Sequence, residues 1–198
     1  MWDNFGLKVF LYLHGQITAK EVAPENAFIT LLLQGRTEEA NLTLETWLSG
    51  EVVPRISRAS RSQVFHGFSI LGRPQNAIEY SKSYLARIGT PMGKMGAYYE
   101  TVDRYVCGEA STEDLLAAAE NSSTRRRHRI DAHYLLGLER LSKSDRQEAV
   151  KHFEEIERAG NYVFCRRVLT PVLLKRLRDD PEWPPWIPPS DPAGASQK

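Results

Sequence analysis

Residues 131–156 read DAHYLLGLERLSKSDRQEAVKHFEEI, and their spacing decides the fold. Tyr134, Leu135, Gly137, Leu138 and Leu141 recur mostly at intervals of three and four, the period that puts side chains on one helical face. Ala149, Val150, Phe153 and Ile156 repeat that pattern. Lys143-Ser144-Asp145 breaks the run, with Ser144 or Asp145 as the expected N-cap of the second helix. The stretch therefore predicts a helical hairpin. Gly137 and Ala149 are small enough to let the two backbones approach, and Phe153 fills the space beside them.

The same design extends outward. Thr37 is expected to cap TEEANLTLETWL, with Ala40, Leu44, Trp47 and Leu48 inward, giving a hairpin near 26–48. A second hairpin, near 58–88, turns at Gly72-Arg73-Pro74, with Pro74 in the first turn of its second helix, where the missing N–H is harmless. Gly35/Ala40, Gly72/Ala77 and Ser144/Ala149 share one spacing from corner to inward alanine. Near 97–120, a helix ends at Gly108 and Ser111 opens TEDLLAAAE, with Asp114 placed to close a capping box. Val102, Tyr105, Gly108, Ser111 and Leu115 align with Val9, Tyr12, Gly15, Thr18 and Val22 at an offset of 93, which reads as an internal duplication. The fourth hairpin is 131–158, and the basic stretch 121–130 leads into it. A closing helix spans 161–178, where Pro171 is expected to kink the helix or begin a new one. The tail, 180–198, is Pro-rich and expected to be extended. Its Trp183-Pro184-Pro185-Trp186 either folds back over the last helix or is a ligand for an aromatic-lined groove. No segment alternates as a strand does. The expected fold is all-α: a right-handed α-solenoid of hairpins over 1–179, followed by the tail.

Composition excludes several classes. The net charge of +1 gives no global field to draw nucleic acid or an acidic membrane. No apolar run approaches the ~20 residues that span a bilayer. The N-terminus lacks the basic, apolar and small-residue sequence of a signal peptide, so the cytoplasm is expected. Cys107 and Cys165 read as buried thiols. Of His14, His66, His128, His133 and His152, only His128 and His133 come near a metal-ligand spacing, so no metal and no cofactor are expected. Glu113-Asp114 and Glu154-Glu155 are adjacent on helices and diverge by about 100°, too far to converge as acid and base. With no phosphate loop, nucleophile elbow or HExxH motif, the chain reads as a non-enzyme.

These features resemble the tetratricopeptide repeat (TPR) family, bacterial TPR proteins and lipoproteins among them. Residues 97–178 carry the resemblance well, through Tyr105-Val106-Cys107-Gly108, Thr112-Glu113-Asp114-Leu115-Leu116 and the run Tyr134 to Phe153; residues 5–88 carry it loosely. The chain departs at Phe65 and Ser81, where a small residue and a large aromatic are usual, and has no lipidation cysteine near Met1. The resemblance implies non-catalytic binding of a protein or peptide on a concave face. Polar residues on the first helices are the candidate contacts: Asn26, Thr30, Arg61, Arg104, Arg129, His133 and Arg140. Arg125, Arg126 and Arg127 form a candidate anion-binding run. Two other readings stay open: a C-terminal regulatory domain of a larger enzyme such as a kinase or protease, and an RNA-binding helical repeat.

Overall fold

The computed structural model describes residues 31–49, 67–79, 82, 94–159 and 165–185, and among these the chain is all-α with no strand. The helices are α1 (Thr37–Ser49), α2 (Lys94–Val106), α3 (Thr112–Glu120), α4 (Arg125–Ser142), α5 (Arg146–Arg158) and α6 (Cys165–Asp179). Short helical pieces at 31–33, 67–70 and 74–79 flank the first two corners.

Four corners are built alike. Gly35, Gly72, Gly108 and Ser144 take φ of 76°, 67°, 79° and 62°. At each, the corner N–H bonds the carbonyl three residues back and the next N–H bonds the carbonyl five back, to Leu31, Phe68, Arg104 and Arg140. This left-handed stop satisfies carbonyls that a helix end otherwise leaves bare. The corners stand 37, 36 and 36 residues apart, so the same corner recurs four times at a near-constant spacing. The fourth residue of each following helix turns inward: Ala40, Ala77, Leu115 and Ala149 are all buried. A corner's left-handed backbone suits glycine, and a side chain there costs roughly 1–2 kcal/mol. Gly108→Ala, whose Cβ would meet open space, is therefore expected to cost about 1 kcal/mol from backbone strain alone. Ser144→Gly should shift stability the other way by about 0.5–1 kcal/mol, offset in part by unfolded-chain entropy. Melting curves of the two variants should move in opposite senses, and a shift in the same sense would refute this account.

Packing follows chain order. α2 lies on α3, α3 on α4, α4 on α5 and α5 on α6, and α6 also touches α4. In the central hairpin Tyr134, Leu135, Leu138, Leu141, Ala149, Phe153 and Ile156 are buried as the spacing predicts, Val150 is half-buried, and Gly137 lies directly against the Phe153 ring. At the far end, Arg176 Nη2 donates to the Leu33 carbonyl at 3.1 Å, tying the last helix to the first corner. The Ser111–Asp114 capping box forms in full.

Several boundaries differ from expectation. α4 begins at Arg125, not 131, so the basic run is the helix's own first turn. α2 begins at Lys94, ahead of Ala97. Of the two expected caps, Asp145 is the one that serves α5, accepting from the Glu148 N–H at 3.2 Å, while Ser144 forms the corner. Arg36, not Thr37, precedes α1; its carbonyl accepts the Ala40 N–H at 3.0 Å. α6 is continuous across Pro171, so no new helix starts there. Cys107 is half-buried instead of buried, and burial pushes its thiol pKa up. The expected helix at 5–14, the duplication at offset 93, the side chains of Leu44, Trp47, Leu48 and Cys165, residues 58–66, 83–93 and 161–164, and the tail beyond 185 lie outside the described residues.

Candidate interaction surface

α4 is covered over most of its circumference, from His128 through Leu141. What it leaves toward solvent is a stripe of Arg125, Arg126 and Arg129, continued by half-buried His133 and Arg140. The candidate residues on it have intramolecular partners. Arg129 Nε lies 2.9 Å from Glu120 Oε1 and Arg125 Nε 3.7 Å from Glu120 Oε2; these exposed pairs contribute little. Arg126 donates Nε and Nη2 to the Ala159 carbonyl at 3.0 and 2.6 Å. Ala159 is the C-cap of α5, so this guanidinium sits at the negative end of a helix. The three arginines of the anion-binding run are thus divided: Arg125 shares Glu120 with Arg129, Arg126 closes α5, and Arg127 is half-buried.

A second set emerges from the repeat. Arg104, Arg140 and Arg176 occupy the same position, four residues before the corners at Gly108 and Ser144 and before Asp180, and each lies in the last turn or just before it. Arg104 Nη2 donates to the Glu109 carbonyl at 3.2 Å, and Arg140 Nη1 lies 3.8 Å from Asp145 Oδ2. Both reach forward over their own corner. Arg104 and Arg176 are exposed and Arg140 is half-buried.

His133 and His152 meet across the α4–α5 hairpin, with Nδ1 to Nδ1 at 3.1 Å and ring centroids 5.4 Å apart. One ring must donate and the other accept. Burial, then the His152 charge, pushes His133 down to about 4, with Arg129 adding to the shift and Glu155 and Glu120 opposing it. Burial first, and Arg140 second, also lowers His152. Both rings are neutral at pH 7.

His128, by contrast, belongs to the core. Its ring stacks on Tyr98 at 4.0 Å and meets Tyr99 edge-on at 5.2 Å, so it faces α2 while His133 faces α5. The His128/His133 spacing does not bring the two rings together. A polar seam joins α2 to α4: the Tyr99 hydroxyl donates to Asp131 Oδ2 at 3.4 Å, and Tyr105 donates to Glu139. Burial and then that acceptor raise the Tyr105 pKa.

Asn26, Thr30 and Arg61 lie outside the described residues. Sequence reasoning missed His152 as the partner of His133, because nineteen intervening residues hide the contact from any local spacing rule. Its signal lay in the hairpin itself. Once Gly137 is set against Phe153, His133 lies one turn back from Gly137 and His152 is Phe153's neighbour. Compared with family models, curated proteins and solved structures, the chain has no match in any of the three.

Proposed function

We propose that this chain is a non-catalytic, TPR-like interaction module: a right-handed array of hairpins that holds an acidic segment of a protein partner along its first helices. The observation that carries the reading is arginine recurring at intervals of 36 residues in the last turns of three helices, Arg104, Arg140 and Arg176, the first two four residues before a left-handed corner. A segment laid across successive units meets the same cation at each step. A guanidinium has five N–H donors, so a bond to its own corner leaves others for a carboxylate. Arg129 and His133 lie on the exposed stripe of α4 and extend the same contact zone.

The test compares baits in a lysate capture read by mass spectrometry. Arg104→Glu/Arg140→Glu, checked by circular dichroism for its fold, should lose the partners that the unaltered chain enriches. The captured segments should be acidic, and adding 0.5 M salt should weaken them, since exposed charge pairs are screened. An identical partner profile for the two baits would sink the proposal.

A further inference from the structure

We propose that His133 and His152 form a two-imidazole binding site for a divalent first-row transition metal, of the Cu(II) and Ni(II) class. The argument is geometric. Two Nδ1 atoms converge at 3.1 Å from two different helices of one hairpin. A metal about 2.0–2.1 Å from each nitrogen would then see them at an angle of roughly 100°, between the octahedral and tetrahedral values. Imidazole suits Cu, Ni and Zn, and square or tetragonal nitrogen–oxygen sites favour Cu(II) and Ni(II). No group of three His, Cys, Asp or Glu donors assembles among the described residues, so the remaining positions would be filled by water.

The hairpin supplies the preorganisation. Below the histidines, Gly137 and Phe153 fix the approach of α4 to α5, and Asp145 caps the start of α5. Glu120, Glu139, Glu148 and Glu155 flank the two rings, each already paired with a cation, Arg129, Lys143, Lys151 and Arg158, so the site stands on the two ring nitrogens. In the metal-free hairpin one ring carries Nδ1–H and the other accepts from it. Metal binding requires both Nδ1 lone pairs, so the donor ring exchanges its Nδ1 proton for one on Nε2 through solvent. Neither ring changes charge and no net proton is released.

The site is built from the hairpin alone; His133 also borders the contact zone proposed above, and the titration is read without any partner. Its test is calorimetric titration of the full chain with Ni(II) chloride at pH 7.5, alongside His133→Asn, His152→Asn and the double variant. One equivalent should bind tightly. Each single variant should weaken it at least about tenfold, the lower end of the loss expected even for an outer-shell partner. Cu(II) should bind more tightly than Ni(II) or Zn(II). Because the metal bridges two helices, Ni(II) should also raise the melting temperature of the unaltered chain and not that of the double variant. If a single variant melts without cooperativity, the corresponding His→Gln variant replaces it. Equal Ni(II) affinity in the unaltered chain and a folded double variant would overturn the site, as would no binding to either.

Discussion

Gly137→Ala is expected to destabilise the protein by about 1–3 kcal/mol, although alanine is the better helix former. In a helix interior, glycine to alanine gains up to about 1 kcal/mol in propensity, and at an exposed site the substitution would stabilise. Here the added Cβ would sit 2.6 Å from Phe153 Cε1 and 2.9 Å from Cζ. Phe153 has nowhere to retreat: it is 0% exposed, with the Tyr134 ring 6.0 Å away. Overpacking a tight core costs typically 1–3 kcal/mol, so the clash outweighs the propensity gain. For a chain of this size the melting temperature should fall by roughly 2–4 °C for each kcal/mol lost. A double-mutant cycle isolates the cause. Phe153→Leu alone should be destabilising, and the pair Gly137→Ala/Phe153→Leu should be less so than the sum of the singles, with a coupling of roughly 0.5–3 kcal/mol. A melting temperature that rises in Gly137→Ala would show that α4 and α5 stand further apart than this packing requires.

That contact was legible in the sequence because it is local. Small residues at Gly137 and Ala149, a large ring at Phe153 and a break at 143–145 together leave one way to fold the hairpin, and the structure adopts it. The shared spacing was legible at three corners, and the hairpin near 97–120 was read from Gly108 and its Ser111 cap instead. After Gly108, Glu109 and Ala110 extend the corner by two residues, so Glu113, five residues on, is exposed and Leu115 takes the buried position. A count from glycine to alanine passes over that corner; the positive φ and the pair of back-turning bonds identify it. The start of α4 was misread for a different reason. Four arginines in the five residues 125–129 look like a solvated lead-in, and their charge opposes the helix dipole. The cost is met locally by Glu120 beside Arg125 and Arg129, and Arg126 is drawn to the end of α5. Nor is the run one surface: adjacent arginines on a helix point in different directions and find different partners. Contacts such as His133 with His152 and Arg176 with Leu33 join residues 19 and 143 apart. No periodicity encodes them; they follow from the hairpin register and from the path of the chain around it.

Trp183→Ala is expected to lose about 3–5 kcal/mol, the cost of deleting a large buried aromatic side chain, and to lower the melting temperature by roughly 6–20 °C. The tail's two readings separate at this residue. A tryptophan kept for a partner's groove would stand in solvent, and removing it would leave the melt unchanged. Trp183 is 4% exposed and joins the main apolar core, and Pro184 beside it is buried. The segment is also anchored through its backbone. The Trp183 N–H donates to the Asp180 carbonyl at 3.2 Å. Arg146 Nη2, from the start of α5, donates to that same carbonyl at 2.7 Å and to Leu177 at 2.9 Å. One guanidinium thus closes the C-terminal end of α6 and holds the turn that delivers the indole to the core. Leu173, Leu174 and Leu177 of α6 are buried, with this turn following directly on them. Arg146→Ala should therefore reproduce part of the Trp183→Ala loss, and the two should combine to less than their sum because both act on one contact. Full additivity would mean that arginine and tryptophan stabilise separate features. An unchanged melt in Trp183→Ala would return the tail to the role of a free ligand.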